Sequence, residues 1–275
     1  MTHTHPICAA VFDIDGTLAL MDKDKGSYVA LPGAAEAINQ LTARGMPVVA
    51  YTNGTFFPPE HYYAPLGAAG LHLQPGRILT PATVAARQLL RLGHKRVMLI
   101  GADGTRVPLQ QAGIEIVEAV AGAPEVEAVL LAWTKDFHSS QLEAAALAVW
   151  GGAKLYATSV APYFAGAKGK LMGVSGAMAA AINNATGAKA TVFGKPSTDG
   201  LEIISDIVSL PPRNMVVIGD DPKLEIAMAR KGGAYAVGVT SGVADRASFE
   251  AAAPELRAHV VVSGLVNLSW QPWFK

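Results

Sequence analysis

The sequence predicts an α/β fold, a mostly parallel sheet bracketed by helices, on three observations. Short apolar runs rich in β-branched residues alternate with longer alanine- and leucine-rich segments, the pattern of strands joined by helices. Several of those runs stop abruptly at acidic or small polar residues, and ligands of open α/β sheets bind at the carboxyl ends of strands. The 275 residues suffice for one large domain, or for a core with a second unit of about a hundred residues.

Residues 7–12 form the first predicted strand. A helix over residues 32–43 follows, closed by Arg44-Gly45, and a second strand covers 46–51, giving a strand–helix–strand unit with a right-handed crossover. Later strands are predicted at 96–100, 128–132, 154–157, 190–193, 215–218, 234–239 and 259–262, with helices in most of the gaps. Alanine-rich stretches at 144–148 and 177–181 read as closely packed helices. There are no repeats, no low-complexity tracts and no linker of distinct composition.

Lysine plus arginine and aspartate plus glutamate each number 22, so the chain lacks the single-sign excess of polyanion binders, and nucleic acid is not an expected partner. Cys8 stands alone and cannot form an internal disulfide, which points to a reducing, cytoplasmic setting. Residues 1–6 have no basic region and no adjoining long apolar stretch, so a secretory leader is not expected. Mean hydropathy is +0.28, raised by alanine and glycine, yet no run approaches the roughly 18–20 apolar residues of a membrane span. A charged fraction of 16% leaves room for a subunit interface, as in a homodimer.

Four strings carry chemistry, each just after a predicted strand. In Phe12-Asp13-Ile14-Asp15-Gly16-Thr17-Leu18, the period of two puts Asp13 and Asp15 on one side, and a bend at Gly16 brings both carboxylates toward one spot. Two acids so close repel unless a cation or an incoming charge organises them. In Tyr51-Thr52-Asn53-Gly54-Thr55, Thr52 offers a hydroxyl, and the amides of Asn53 and Gly54 can approach an anion; an Asn-Gly turn by itself needs no function. Phe193-Gly194-Lys195-Pro196 holds one ammonium, suited to a phosphate as a point charge. Gly219-Asp220-Asp221-Pro222, with Glu225 a turn later, gives the carboxylate oxygens that hard divalent cations prefer, or simply the acids that a helix N-terminus favours. Together they supply the parts of phosphoryl transfer, which works mainly by positioning and by neutralising developing charge.

In this order the strings resemble the four motifs of the haloacid dehalogenase-like (HAD) superfamily of phosphatases, over nearly the whole chain. The segment from Thr80-Pro81-Ala82 to Gly194-Lys195-Pro196 is similar to the cap of class IIA members, the p-nitrophenyl phosphatases, nucleotide monophosphatases and phosphoglycolate phosphatases. The resemblance implies a doubly wound, Rossmann-like core of residues 1–80 and 190–275, with an α/β cap of residues 81–189 inserted between the second and third motifs. It further implies that Asp13 attacks phosphorus to form an aspartyl-phosphate, and that Asp15 protonates the leaving oxygen and then activates water. Thr52, with the amides of Asn53 and Gly54, would hold the phosphoryl oxygens, and Lys195 would clamp the phosphate. Magnesium would bind a carboxylate oxygen of Asp13, the carbonyl of Asp15 and the carboxylate of Asp220, with Asp221 or Glu225 orienting that shell.

Departures from the pattern matter too. Relatives often read Thr-Asn-Asn at the second motif, where Gly54 stands here; Thr55 either compensates or alters the loop facing substrate. Where relatives commonly have Thr-Asn-Pro-Asp in the cap, this chain has Thr158-Ser159-Val160-Ala161-Pro162. Residues 19–31, carrying Met21-Asp22-Lys23-Asp24-Lys25-Gly26, make a long loop that reads as a solvated charged turn in preference to a lid. Trp133, Lys135, Asp136, His138, Tyr163, Phe164 and Lys168 are candidates for the cap surface, with Asp136 and Tyr163 foremost as substrate selectors. Trp270 and Trp273 pack the tail onto the core or join a dimer contact, and His61, His94 and His259 read as surface or core histidines. The expected activity is magnesium-dependent hydrolysis of a small phosphate ester. Alternatives are a catalytically silent binding module and a phosphomutase, although mutase caps usually follow the first motif.

Overall fold

The computed structural model describes residues 5–22, 26–166 and 169–270. Lys23, Asp24, Lys25, Lys168 and Trp273, and the side chain of Phe164, lie outside what is described. Strand β1 (Ala9–Phe12) leads into a hairpin of β2 (Ala19–Asp22) and β3 (Ser27–Ala30), then α1 (Ala34–Ala43), β4 (Val48–Tyr51), α2 (Glu60–Ala68), β5 (Ile78–Leu79) and α3 (Pro81–Arg91). The middle of the chain forms β6 (Arg96–Ile100), α4 (Asp103–Gln111), β7 (Glu115–Glu118), β8 (Ala128–Leu131), α5 (Ser139–Trp150) and β9 (Lys154–Ala157). A second hairpin, β10 (Tyr163–Gly166) and β11 (Gly169–Met172), precedes α6 (Val174–Thr186) and β12 (Thr191–Val192). The last third runs α7 (Asp199–Val208), β13 (Met215–Gly219), a single π-helical turn (Pro222–Ile226), α8 (Ala227–Gly232), β14 (Tyr235–Val239), α9 (Arg246–Glu250) and β15 (Val260–Val262).

Two parallel sheets result. One has the order β15-β14-β13-β1-β4-β5 and takes its strands from both ends of the chain; the other, β12-β9-β8-β6-β7, comes from the middle. This is the doubly wound α/β architecture with an inserted α/β cap. The β12–β9 pairing carries the second sheet to Val192, past the expected end at residue 189.

The first sheet is buried on both faces, which is why its strands read as continuous apolar runs. Alternation along β1 sends Phe12 to a cluster with Ile38, Leu41, Ile218 and Trp270, and Val11 to one with Val49, Val217 and Ile204. Trp270 packs against Phe12, ring centroids 6.0 Å apart, so this tryptophan ties the tail to the core. The Val11 cluster continues through Val84, Ala85 and Leu89 of α3 into Val97, Leu99 and Leu130 of the second sheet. Thr80 starts α3 with a reciprocal side-chain cap to Thr83 and Pro81 in the first turn, as helix starts favour. The two sheets therefore meet through apolar packing.

Within residues 19–31, Ala19–Asp22 and Ser27–Ala30 pair in antiparallel register, Leu20 opposite Val29 and Met21 opposite Tyr28, while the charged residues between them, 23–25, lie outside the described residues. Leu31 N donates to Leu18 O at 2.9 Å and fixes the hairpin's base to the Asp13–Leu18 turn. No helix among the described residues is long and apolar enough to cross a membrane.

Candidate active site

The four strings converge at the carboxyl edge of the first sheet, because β1, β4 and β13 are adjacent and parallel. Asp13 follows β1 directly; its amide donates to Ile218 O at 2.9 Å, and its side chain is buried. Lys195, 2% exposed, reaches the same point from the last third of the chain. Its Nζ donates to Asp13 Oδ1 at 2.5 Å, to Tyr51 O at 2.8 Å and pairs with Glu225 Oε1 at 2.7 Å, which uses all three ammonium protons.

Asn53 holds the Lys195 backbone from both sides. Its Oδ1 accepts from Lys195 N at 2.9 Å, and its Nδ2 donates to Lys195 O at 3.0 Å. Thr52 Oγ1 accepts from Gly54 N at 2.9 Å and donates to Asp15 Oδ2 at 3.4 Å, so the Gly54 amide serves the Thr52 hydroxyl. Asp15 is half-buried.

Asp220 ends β13 in a narrow cradle. Its Oδ2 accepts from Val243 N at 2.7 Å, and a Cβ on Gly16 or Gly242 would come within 2.4 or 1.9 Å of that oxygen. Gly16 also has φ +94°, so glycine is required there twice over. Ser241 Oγ donates to Gly16 O at 2.8 Å and closes the loop around the carboxylate. The Asp221–Glu225 pair divides its work: Asp221 Oδ1 accepts from Lys223 N and caps the π-helical turn, while Glu225 faces inward to Lys195 and accepts from Asp221 N at 3.1 Å.

Electrostatics follow from one buried ammonium among four carboxylates. Burial raises Asp13 well above the ordinary carboxylate range; Lys195 opposes this, and Glu225, Asp220 and Asp15 add to it. Asp220 is pushed up to about 7 by burial and by Glu225, against the Val243 amide and Lys195. Burial alone would lower Lys195, but Asp13 and Glu225 hold it above the usual lysine range, so it stays charged. The cluster carries more negative charge than its lysine balances, and it must take up protons or a cation. Among the described residues no three His, Cys, Asp or Glu side chains could by themselves hold a metal. Asp13 and Asp220 instead offer hard oxygens at two positions, the partial ligation with which magnesium, keeping several waters, is usually bound. The donor set fits a hard divalent cation.

Sequence reading missed the contributions of Tyr51 O, the Asn53 side chain, the Ser241-Gly242-Val243 loop, and one buried phenol, Tyr62, which donates to Gly54 O. The loop had a signal, since Thr240-Ser241-Gly242 is another strand end running into small polar residues. On the cap side, Trp133 is half-buried, its ring 4.5 Å from Phe56 between centroids and its amide donating to Thr55 Oγ1 at 3.4 Å. Lys135, Asp136 and His138 are exposed, as is Tyr163 at 47%, all outside the buried cluster. His61 is exposed, and His94 bonds Tyr156 Oη at 2.9 Å, away from the acids.

Fold and site together define a hydrolase of the doubly wound α/β type with an inserted cap. Sequence models described as haloacid dehalogenase-like hydrolase and HAD-hydrolase-like match residues 10–115 and 192–268. The chain is 30% identical over 235 residues to mouse haloacid dehalogenase-like hydrolase domain-containing protein 2, covering 85% of this chain and 84% of that protein. It is 28% identical over 272 residues to mouse chronophin, covering 94% and 90%. The crystal structure of a glycerol phosphate phosphatase from Mycobacterium tuberculosis in complex with magnesium superposes with a TM-score of 0.84 at 25% identity, over 95% of this chain and 76% of that one. The chain belongs to the haloacid dehalogenase-like hydrolases, as a phosphatase of the class IIA cap type.

Proposed function

We propose that the protein is a magnesium-dependent phosphomonoesterase of small phosphorylated metabolites, working through an aspartyl-phosphate. The observation that carries this reading is the buried Lys195 bonded to Asp13 Oδ1 amid an excess of carboxylate, which leaves the other Asp13 oxygen as nucleophile. That oxygen attacks phosphorus while the ester bond breaks, and Asp15 gives its proton to the departing alkoxide. Water then attacks the aspartyl-phosphate; Asp15 takes the water proton, and inorganic phosphate leaves. Thr52 orients Asp15 through the 3.4 Å bond, and Asn53 fixes the lysine loop. Asp13, Asp220 and the Asp15 carbonyl would hold magnesium, which neutralises charge on the transferring phosphoryl group. Likeness to a glycerol phosphate phosphatase solved with magnesium supports the cation and a small hydroxylated ester as substrate class. A free Cys8 suits a cytoplasmic enzyme.

Phosphate release from p-nitrophenyl phosphate and a panel of metabolite phosphates, with magnesium and with EDTA, tests this reading. Expected is magnesium-dependent turnover that Asp13→Asn reduces by roughly a thousandfold or more. A folded protein that releases phosphate from none of them refutes the phosphatase and favours a silent binder.

A further inference from the structure

The first turn of α4, on the cap, breaks two local rules at once. Gly104 is buried and helical there, where alanine would serve the helix better. Thr105 beside it is 0% exposed, and its hydroxyl is one of two buried side-chain polar atoms without a hydrogen-bond partner among the described residues, the other belonging to Thr17. Local costs of this kind call for an explanation, and they stand where a turn serves something besides its own stability.

What Gly104 touches supplies the reason. A Cβ built on it would run into Thr55 O and lie 2.8 Å from both Phe56 C and Phe57 N, so the helix rests directly on the backbone of the second-motif loop. Trp133 makes a second tie to the same residue. Its amide donates to Thr55 Oγ1 at 3.4 Å, and its carbonyl accepts from Ala102 N at 3.0 Å, which joins the end of β8 to the start of α4.

The loop has no slack to absorb a push. Next to Thr55, Gly54 N donates to Thr52 Oγ1 at 2.9 Å, and that hydroxyl donates to Asp15 Oδ2, while Asn53 holds Lys195 N and O. A Cβ on Gly54 would sit 3.1 Å from Tyr62 Oη, and one on Gly194 would sit 2.8 Å from Asn53 Oδ1, so this stretch is packed on both sides. A displacement entering at Thr55 passes to Thr52 and Asn53.

We propose that Gly104 is a positioning residue for the chemical step: by lacking a side chain it sets where the second-motif loop rests on the cap, and through Thr52 and Asn53 it places Asp15 and Lys195. This rests on the phosphatase reading. The cap then takes part in the step common to all phosphate monoesters, apart from any choice among them.

The test measures kcat and KM for glycerol 3-phosphate, n-propyl phosphate and p-nitrophenyl phosphate, with magnesium, in the wild-type enzyme, Gly104→Ala and Thr55→Val. Thermal unfolding verifies that each protein is folded at the assay temperature. Gly104→Ala lowers kcat by about tenfold or more on all three substrates and moves KM by less than about threefold. Thr55→Val keeps the shape, removes the acceptor of the Trp133 amide, and lowers kcat on all three by at least about threefold. Gln110→Ala, exposed on the same helix, leaves every rate as it is. A Gly104→Ala enzyme with wild-type kcat overturns the proposal. So does one whose loss falls on KM or on one substrate, because the cap then selects substrate and does not position the acid and the lysine. Should Gly104→Ala fail to fold, Thr55→Val decides alone, and wild-type kcat there overturns the proposal. Wild-type enzyme inactive on all three substrates sinks the phosphatase reading and this proposal with it, whereas an active wild type with insensitive variants sinks this proposal only.

Discussion

Asp220→Asn should stabilise the metal-free protein above neutral pH while removing its response to magnesium. The wild-type carboxyl is 3% exposed and titrates at about 7 in the fold, against about 3.8 when unfolded. The folded state therefore holds a proton that the unfolded state has released, and stability falls as pH rises through that window. Three pH units correspond to a penalty of about 4 kcal/mol once the carboxylate is charged, at 1.36 kcal/mol per unit. Asparagine keeps the shape and can still accept from Val243 N, but it removes one of the negative charges that hold Lys195, so about half of that is expected as net gain. A gain of about 2 kcal/mol raises the thermal midpoint by roughly 5 °C near pH 8 in EDTA, and the two proteins converge only near pH 3.5, where Asp220 is protonated in the unfolded chain as well as in the fold. Magnesium reverses the order near pH 8, because it stabilises the wild type alone. Thermal unfolding followed by calorimetry at both pH values reads this out. A variant less stable than wild type in EDTA, or a difference that ignores pH, would refute the charge argument.

Two further changes probe the same cluster. Lys195→Met strands Asp13, Glu225 and the Tyr51 carbonyl, and should cost roughly 3–5 kcal/mol in denaturant unfolding; a loss below about 1 kcal/mol would mean that the acids are protonated and need no ammonium. Gly242→Ala sets a methyl 1.9 Å from Asp220 Oδ2 and must displace the carboxylate, so calorimetric titration should find magnesium affinity lower by at least about tenfold. Unchanged affinity would move the cation away from Asp220.

The strand-end acids were legible because each ends an apolar run, and a buried parallel strand leaves no ambiguity about where its polar exit lies. Partnerships across the chain were not. Asn53 reads locally as half of an Asn-Gly turn, and only the fold brings it to Lys195, 142 residues away. Asp221 and Glu225 were equal candidates as orienters until the π-helical turn sent one to a cap and the other to the lysine. The hairpin at 19–30 was hidden for a different reason. Its strands are four residues each, and the charged run Asp22-Lys23-Asp24-Lys25 at their junction reads as a loop. Asp136 and Tyr163, chosen for their chemistry, stand exposed, while Phe56, not chosen, meets Trp133.

These placements separate two tasks. The charged cluster is made wholly of residues from the ends of β1, β4 and β13 and the Lys195 loop, and it addresses what every phosphate monoester shares. Any change there acts on the phosphoryl group and should scale all substrates alike. The aromatic surface next to the second-motif loop comes from elsewhere: Tyr62 from α2, whose hydroxyl donates to Gly54 O, and Phe56 of the loop itself, which is pinned to the cap through Trp133. Aromatic surface discriminates by shape, and it adds little to the affinity for phosphate. The motif-two loop belongs to both regions. Thr52 and Asn53 serve the acid and the lysine, and the next residues reach the cap, so cap position and the acid/base group are coupled through a few residues of backbone. Selection and chemistry are thus adjacent along the chain but distinct in the residues that perform them, which is why substrate preference can change while the catalytic set stays whole.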